Sequence, residues 1–176
     1  MDFKKKLSQR ININDIYEIL YLIQNNNIQK DKLYELIFDS DDFTAYQTLW
    51  VFTHCSFSEN EWLYQKKDEL INQVLVCEHP GKRRLFLQLL FRQPVPNPLR
   101  VDFLDFCLER MISKKELPGV QSLCMKLAYE QCRTSPELIQ EFCSILSIMD
   151  FDLLPASMKA VRKNVLKAMK TGKSLS

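Results

Sequence analysis

Glycine is scarce in this sequence: 3 of 176 residues, at Gly81, Gly119 and Gly172. Sheet folds joined by tight hairpins draw on glycine for the positive-φ positions of their turns. So few glycines speak against an all-β or doubly wound architecture. Gly81 and Gly119 stand alone, so there is no glycine-rich loop to cradle a phosphate. With only two histidines and no Gly-x-Ser-x-Gly, nucleophilic catalysis lacks its usual parts. No stretch approaches the ~20 apolar residues of a membrane span. The basic start, Met1 to Arg10, is not followed by an apolar segment, so no signal peptide is expected.

The six cysteines, Cys55, Cys77, Cys107, Cys124, Cys132 and Cys143, form no Cys-x-x-Cys pair and fall within apolar helical segments. Thiols so placed behave as small buried hydrophobes, and an oxidising compartment would suit them poorly. The expectation is a cytoplasmic protein with no disulfide. Its length fits one domain over residues 1–176. The net charge of +2 hides an asymmetry. Residues 11–80 carry 4 basic and 12 acidic side chains, and residues 81–176 carry 16 basic and 9 acidic. That separation hints at a charged partner.

The apolar spacing is helical throughout. Ile16, Ile19, Leu20 and Ile23 follow an i, i+3, i+4, i+7 stripe behind Asn14 as a cap. Asn25-Asn26-Asn27 tolerate the left-handed stop that ends it. Further helices are expected at 30–38, 42–53, 58–75, 82–93, 98–112, 119–133, 136–149 and 156–170, with Ser58 opening a capping box. Pro118, Pro136 and Pro155 open helices, and the joint Pro94-Val95-Pro96-Asn97-Pro98 separates two of them. That makes nine helices: a divergent first pair at about 11–40, three further pairs, and a last helix with a polar tail (155–176) expected to fray.

A weak repeat links them. Leu49, Leu85, Leu123 and Val161 are spaced by 36, 38 and 38, and Thr53, Leu89, Leu127 and Val165 follow four residues on. Leu63, Leu99 and Leu138, and then Leu70, Phe106 and Ile145, give two further registers. A period of this length on helices marks stacked helix pairs, none of which buries its apolar face alone. Leu85, Leu89, Leu123 and Leu127 are expected to be buried between pairs. The fold class read here is all-α, a right-handed α-α superhelix, with an irregular helical bundle as the alternative.

The stretch Gly119 to Glu130, with its Leu123-x-x-x-Leu127 core, followed by Thr134-Ser135-Pro136-Glu137-Leu138, resembles a HEAT or armadillo-like repeat. The resemblance covers about residues 42–170. The chain is also similar to members of an uncharacterised bacterial group of small α-solenoids, which supplies no activity to carry over. HEAT-like folds include the alkylpurine DNA glycosylases. That resemblance would imply a basic concave groove with tryptophan and a carboxylate, for which Trp50 and Trp62 would be the candidates. In HEAT stacks the second helices line the concave face. Here those at 98–112 and 136–149 are net acidic, which would repel phosphate.

Other constellations are weaker. His54, Cys55, Cys77 and His79 match no zinc-ligand spacing, so no metal is expected, and no cofactor. Carboxylates one turn apart, Asp102 with Asp105 and Glu137 with Glu141, read as solvated helix faces. The early aromatics, Tyr17 to Tyr64, sit mostly at core spacing. The basic signal is stronger. Lys82, Arg83 and Arg84 open one helix. Lys159, Arg162, Lys163, Lys167 and Lys170 fall within an arc of roughly 140° on the last, with Val161, Val165 and Met169 expected on the other side. These eight residues are the candidate surface for an anionic partner, and the last helix is equally the polar cap a stack requires. The function read from the sequence is a non-enzymatic protein- or peptide-binding scaffold. A nucleic-acid-binding module using the basic half is the alternative, and a glycosylase-like enzyme is remote.

Overall fold

A computed structural model describes residues 1–175. Among them every regular element is helical, and no strand occurs. The chain divides into two compact units, Met1–Asp68 and Glu69 onward.

The first unit contains α1 (Phe3–Leu7), α2 (Ile13–Ile23), α3 (Asn27–Glu35), α4 (Asp42–Thr53) and the short α5 (Phe57–Asn60). Two 3-10 turns follow α3 and α5, at Leu36–Phe38 and Glu61–Lys66. Polar side chains start the helices. Asn12 and Asp15 form a reciprocal capping box on α2, and Asn26, Asp41 and Ser56 cap the helices after it. Asn25 stops α2 at φ 55, the left-handed conformation expected of the asparagine run. The caps at Asn12 and Ser56 lie two residues before the expected Asn14 and Ser58.

The core of this unit holds Leu7, Ile16, Ile19, Leu33, Leu49, Phe52 and Leu63. Gln47, buried among them, fixes α1 to α4. Its Nε2 donates to the Leu7 and Gln9 carbonyls at 2.6 Å, and its Oε1 accepts from the Ile11 amide at 2.9 Å. Tyr34 meets Phe38, Phe52 and Trp62 edge to face, and Trp62 stacks on Phe52 at 6.3 Å. This aromatic packing accompanies the break in the helix expected at 58–75. The 3-10 turn buries Leu63 and lays Trp62 on the cluster, so tertiary contacts override local propensity. The aromatic expectation is corrected in part, because Tyr17, Tyr21, Phe38, Phe43 and Phe57 are exposed.

The second unit takes in most of α6 (Lys67–Val76), then α7 (Pro80–Phe91), α8 (Val101–Ile112), α9 (Pro118–Cys132), α10 (Pro136–Ile148) and α11 (Ala156–Met169). Proline occupies the first position of α7, α9 and α10, where its missing N–H costs no helical bond. α7, α8, α10 and α11 all pack against α9. Val120, Cys124, Met125, Leu127, Ala128 and Tyr129 are accordingly buried nearly all round that helix. Leu85, Leu89 and Leu127 are buried as the repeat predicts. Leu123 is not: it sits half-buried. On α11 the inward residues are Met158, Val165 and Ala168, while Val161 and Met169 lie at the margin.

The expected fraying tail is docked instead. Tyr129 donates to the Lys173 carbonyl at 2.7 Å, and the Ser174 hydroxyl and Leu175 amide donate to Glu130. Glu130 is a buried carboxylate, and the tail supplies donors that burial removes from water. Arg133 supplies the remaining one.

Candidate functional site

α11 gathers the basic residues of its arc around a shallow depression beside the 3-10 turn Phe151–Leu153. Lys159, Arg162, Lys163, Lys167 and Lys170 line it together with Phe151. Lys159 Nζ lies 5.3 Å and the Arg162 guanidinium 5.7 Å from the centre of the Phe151 ring, the geometry of cation–π contacts. Lys159 also donates to the Asp152 carbonyl at 3.2 Å, and Arg162 to the Leu146 carbonyl at 3.4 Å. These two cations are therefore oriented by the fold. Arg162 Nε is buried with no hydrogen-bond acceptor among the described residues. Lys163, Lys167 and Lys170 are exposed and make no salt bridge among the described residues.

The triplet on α7 does not line that depression. Arg83 turns inward, where it pairs with Glu116 and donates to the Cys77 carbonyl from Nε and Nη2, at 3.0 and 2.6 Å. Arg110 reaches the same carboxylate at 3.0 Å. Glu116, 2% exposed in its side chain, is thus neutralised by two guanidiniums that tie α7 and α8 to the start of α9. Arg84 lays its aliphatic stem over Gly119. A Cβ at that position would stand 3.2 Å from Arg84 Cδ, so the glycine permits this close approach. Lys82 sits in the first turn of α7, whose opening is capped by His79 Nδ1 accepting the Lys82 amide at 3.2 Å.

A second concavity adjoins the Phe151–Leu153 turn, and sequence reading did not anticipate it. It runs between the end of α8, the start of α9 and the connection from α10 to α11. Ile112, Ile148 and Leu153 line it and stay exposed, Ile148 by 72% and Leu153 by 76%. The signal was present in Phe151-Asp152-Leu153-Leu154-Pro155, an apolar run in a helix connection, where polar residues are the rule.

The remaining candidates are occupied structurally. His54 Nδ1 lies 2.9 Å from the Trp50 carbonyl, with the imidazole edge-on to the indole. Trp62 belongs to the aromatic cluster, and Lys66 lies 5.0 Å from the centre of the Tyr34 ring and 5.6 Å from that of Trp62. Among the described residues no group of three or more His, Cys, Asp or Glu could hold a metal. The shifted titrations also have structural causes. Asp39 is lowered by its bond to Lys4, Asp15 by Lys6, Asp41 by the Thr44 hydroxyl and Asp102 by Arg100. Burial pushes the Cys107 thiol well up, and pushes Cys132 up to about 12 with help from Glu141. Such thiols are poor nucleophiles at neutral pH.

The family model for the HEAT repeat domain matches residues 3–169. No curated protein and no solved structure matches the chain. Among the described residues no helix is long and apolar enough to cross a membrane.

Proposed function

This chain belongs to the HEAT repeat domain family, and on that premise we propose that it is a non-enzymatic scaffold that binds another protein or a peptide. The family match, which spans nearly the whole chain, carries the reading. Stacked helix pairs present side chains along extended faces that such proteins use for binding. Within this reading α11 is the capping helix of the stack, and its cations form the surface an anionic partner would meet, with Lys82 and Arg84 on α7 as a separate set outside that depression. Arg83 serves the Glu116 pair and is withdrawn from that surface. Four of the six cysteines are buried, which fits a reducing, cytoplasmic setting.

A specific observation favours one competing reading. Five cations around one depression could instead meet a phosphate backbone. Cross-linking in the native cell, followed by titration of the purified partner against the purified chain, separates the two. The scaffold reading expects a protein partner that binds directly. It fails if no purified protein binds while DNA or RNA does, with an affinity that collapses between about 50 and 200 mM salt.

A further inference from the structure

We propose that the apolar groove beside the Phe151–Leu153 turn and the cationic face of α11 together dock an acidic, amphipathic helix of a partner protein. This deepens the scaffold reading and rests on it. Ile112, Ile148 and Leu153 are exposed aliphatic side chains gathered in one groove rather than scattered singly, and polar residues rim them. The turn joins the two surfaces: Leu153 lines the groove, and Phe151 lines the basic depression.

Charge selects an acidic occupant. Glu116, in the groove, is already neutralised by Arg83 and Arg110. Asp150 caps its own turn, accepting the Asp152 amide at 3.1 Å. Against Asp150 and Asp152 stand Lys114 on the groove wall and Lys159, Arg162, Lys163, Lys167 and Lys170 on α11. A ligand with an apolar stripe and flanking carboxylates satisfies both surfaces at once.

Backbone chemistry selects a helix. The groove is walled by the end of α8, the start of α9 and the connection from α10 to α11, and the described residues offer no strand edge to extend. An incoming segment must therefore satisfy its own backbone, as helices in apolar grooves do. The aliphatic lining argues against nucleic acid, which uses aromatic faces for stacking. Phe151 is the aromatic residue here, and Lys159 and Arg162 already stand over its ring. The chain's own tail is held elsewhere, at Glu130, some 14 Å along α9 from Gln121.

The test uses the full chain and a labelled model peptide of about four helical turns. Leucines at i, i+3, i+4 and i+7 give it an apolar stripe, and glutamates fill its other face. A matching peptide carries lysine in place of glutamate. The acidic peptide should bind, and the lysine peptide should not. Ile148→Ser with Leu153→Ser, and separately Lys163→Glu with Lys167→Glu, should each weaken binding at least about tenfold. All four positions are exposed, and circular dichroism checks that the variants fold.

No binding, equal binding of both peptides, or unchanged affinity in either variant overturns the proposal. A single-stranded oligonucleotide that binds tightly, and is lost in the lysine variant, assigns α11 to nucleic acid and also overturns it. So does a concentration-dependent dimer abolished by the serine variant, which would assign the groove to a second copy. If a cross-linked natural partner binds the serine variant as well as wild type, this site is wrong and the scaffold reading stands. If no purified protein binds the chain at all, the scaffold reading itself fails.

Discussion

In the first unit a single polar side chain, Gln47, holds three backbone groups of α1 and the segment after it against α4, and an aromatic cluster gathers around Tyr34. In the second unit one helix, α9, is buried nearly all round, and four others pack onto it. The first arrangement depends on a few directional bonds between short helices. The second depends on apolar area gathered around a central rod. The second can therefore leave apolar residues such as Ile148 and Leu153 uncovered at its margin without loosening its centre.

The largest effects should come from truncating residues packed on the central rod. Leu127→Ala or Leu85→Ala is expected to cost about 2–5 kcal/mol, the range for cavities in well-packed cores. Leu123→Ala should cost clearly less, because that side chain is half-buried. Urea titrations that ranked Leu123→Ala with Leu127→Ala would break the distinction between the helix's centre and its edge.

Gln47→Ala should follow, at about 2 kcal/mol, because it leaves the Leu7 and Gln9 carbonyls and the Ile11 amide without their partner. Hydrogen exchange should show the loss first in residues 1–12 and leave α9 unchanged. Uniform loosening of both units would contradict the contrast drawn here.

Acid should separate the units further. Asp15, Asp39 and Asp41, whose pKa values are lowered, lie in the first unit, and Asp102 lies in the second. A depressed folded-state value favours folding above the ordinary aspartate range, and that contribution fades as pH falls through the lowered value. Below about pH 4, the ordinary aspartate value, the first unit should lose exchange protection before the second. Simultaneous loss would count against these bonds mattering. The smallest effect concerns thiol labelling at neutral pH. Cys143, which is exposed, and then Cys77 should react with iodoacetamide well before Cys107 and Cys132, as mass spectrometry would read.

Local chemistry explains which features could be read from the sequence. Prolines at the starts of α9 and α10, the left-handed Asn25 and the cationic arc of α11 each follow from a few neighbouring residues. Other features depend on partners far along the chain. Nothing in Lys82-Arg83-Arg84 says which side chain turns inward; the answer is Glu116, 33 residues on. The tail docks because Glu130, 44 residues before Ser174, is buried and needs donors. The break in the expected 58–75 helix follows from Trp62 meeting Phe52 and Tyr34. The groove shows in the sequence only as the apolar run Phe151 to Pro155, because exposure is a property of what fails to cover those residues.

The central claim is that this chain recognises a partner protein through the margin of its second unit. Hydrogen exchange of the full chain, with and without the acidic helical peptide, tests it most directly. The account predicts new protection at residues 111–121 and 146–163, on the groove and the adjoining face of α11, with residues 11–60 unchanged. Protection confined to the first unit, or none at saturating peptide, would contradict it.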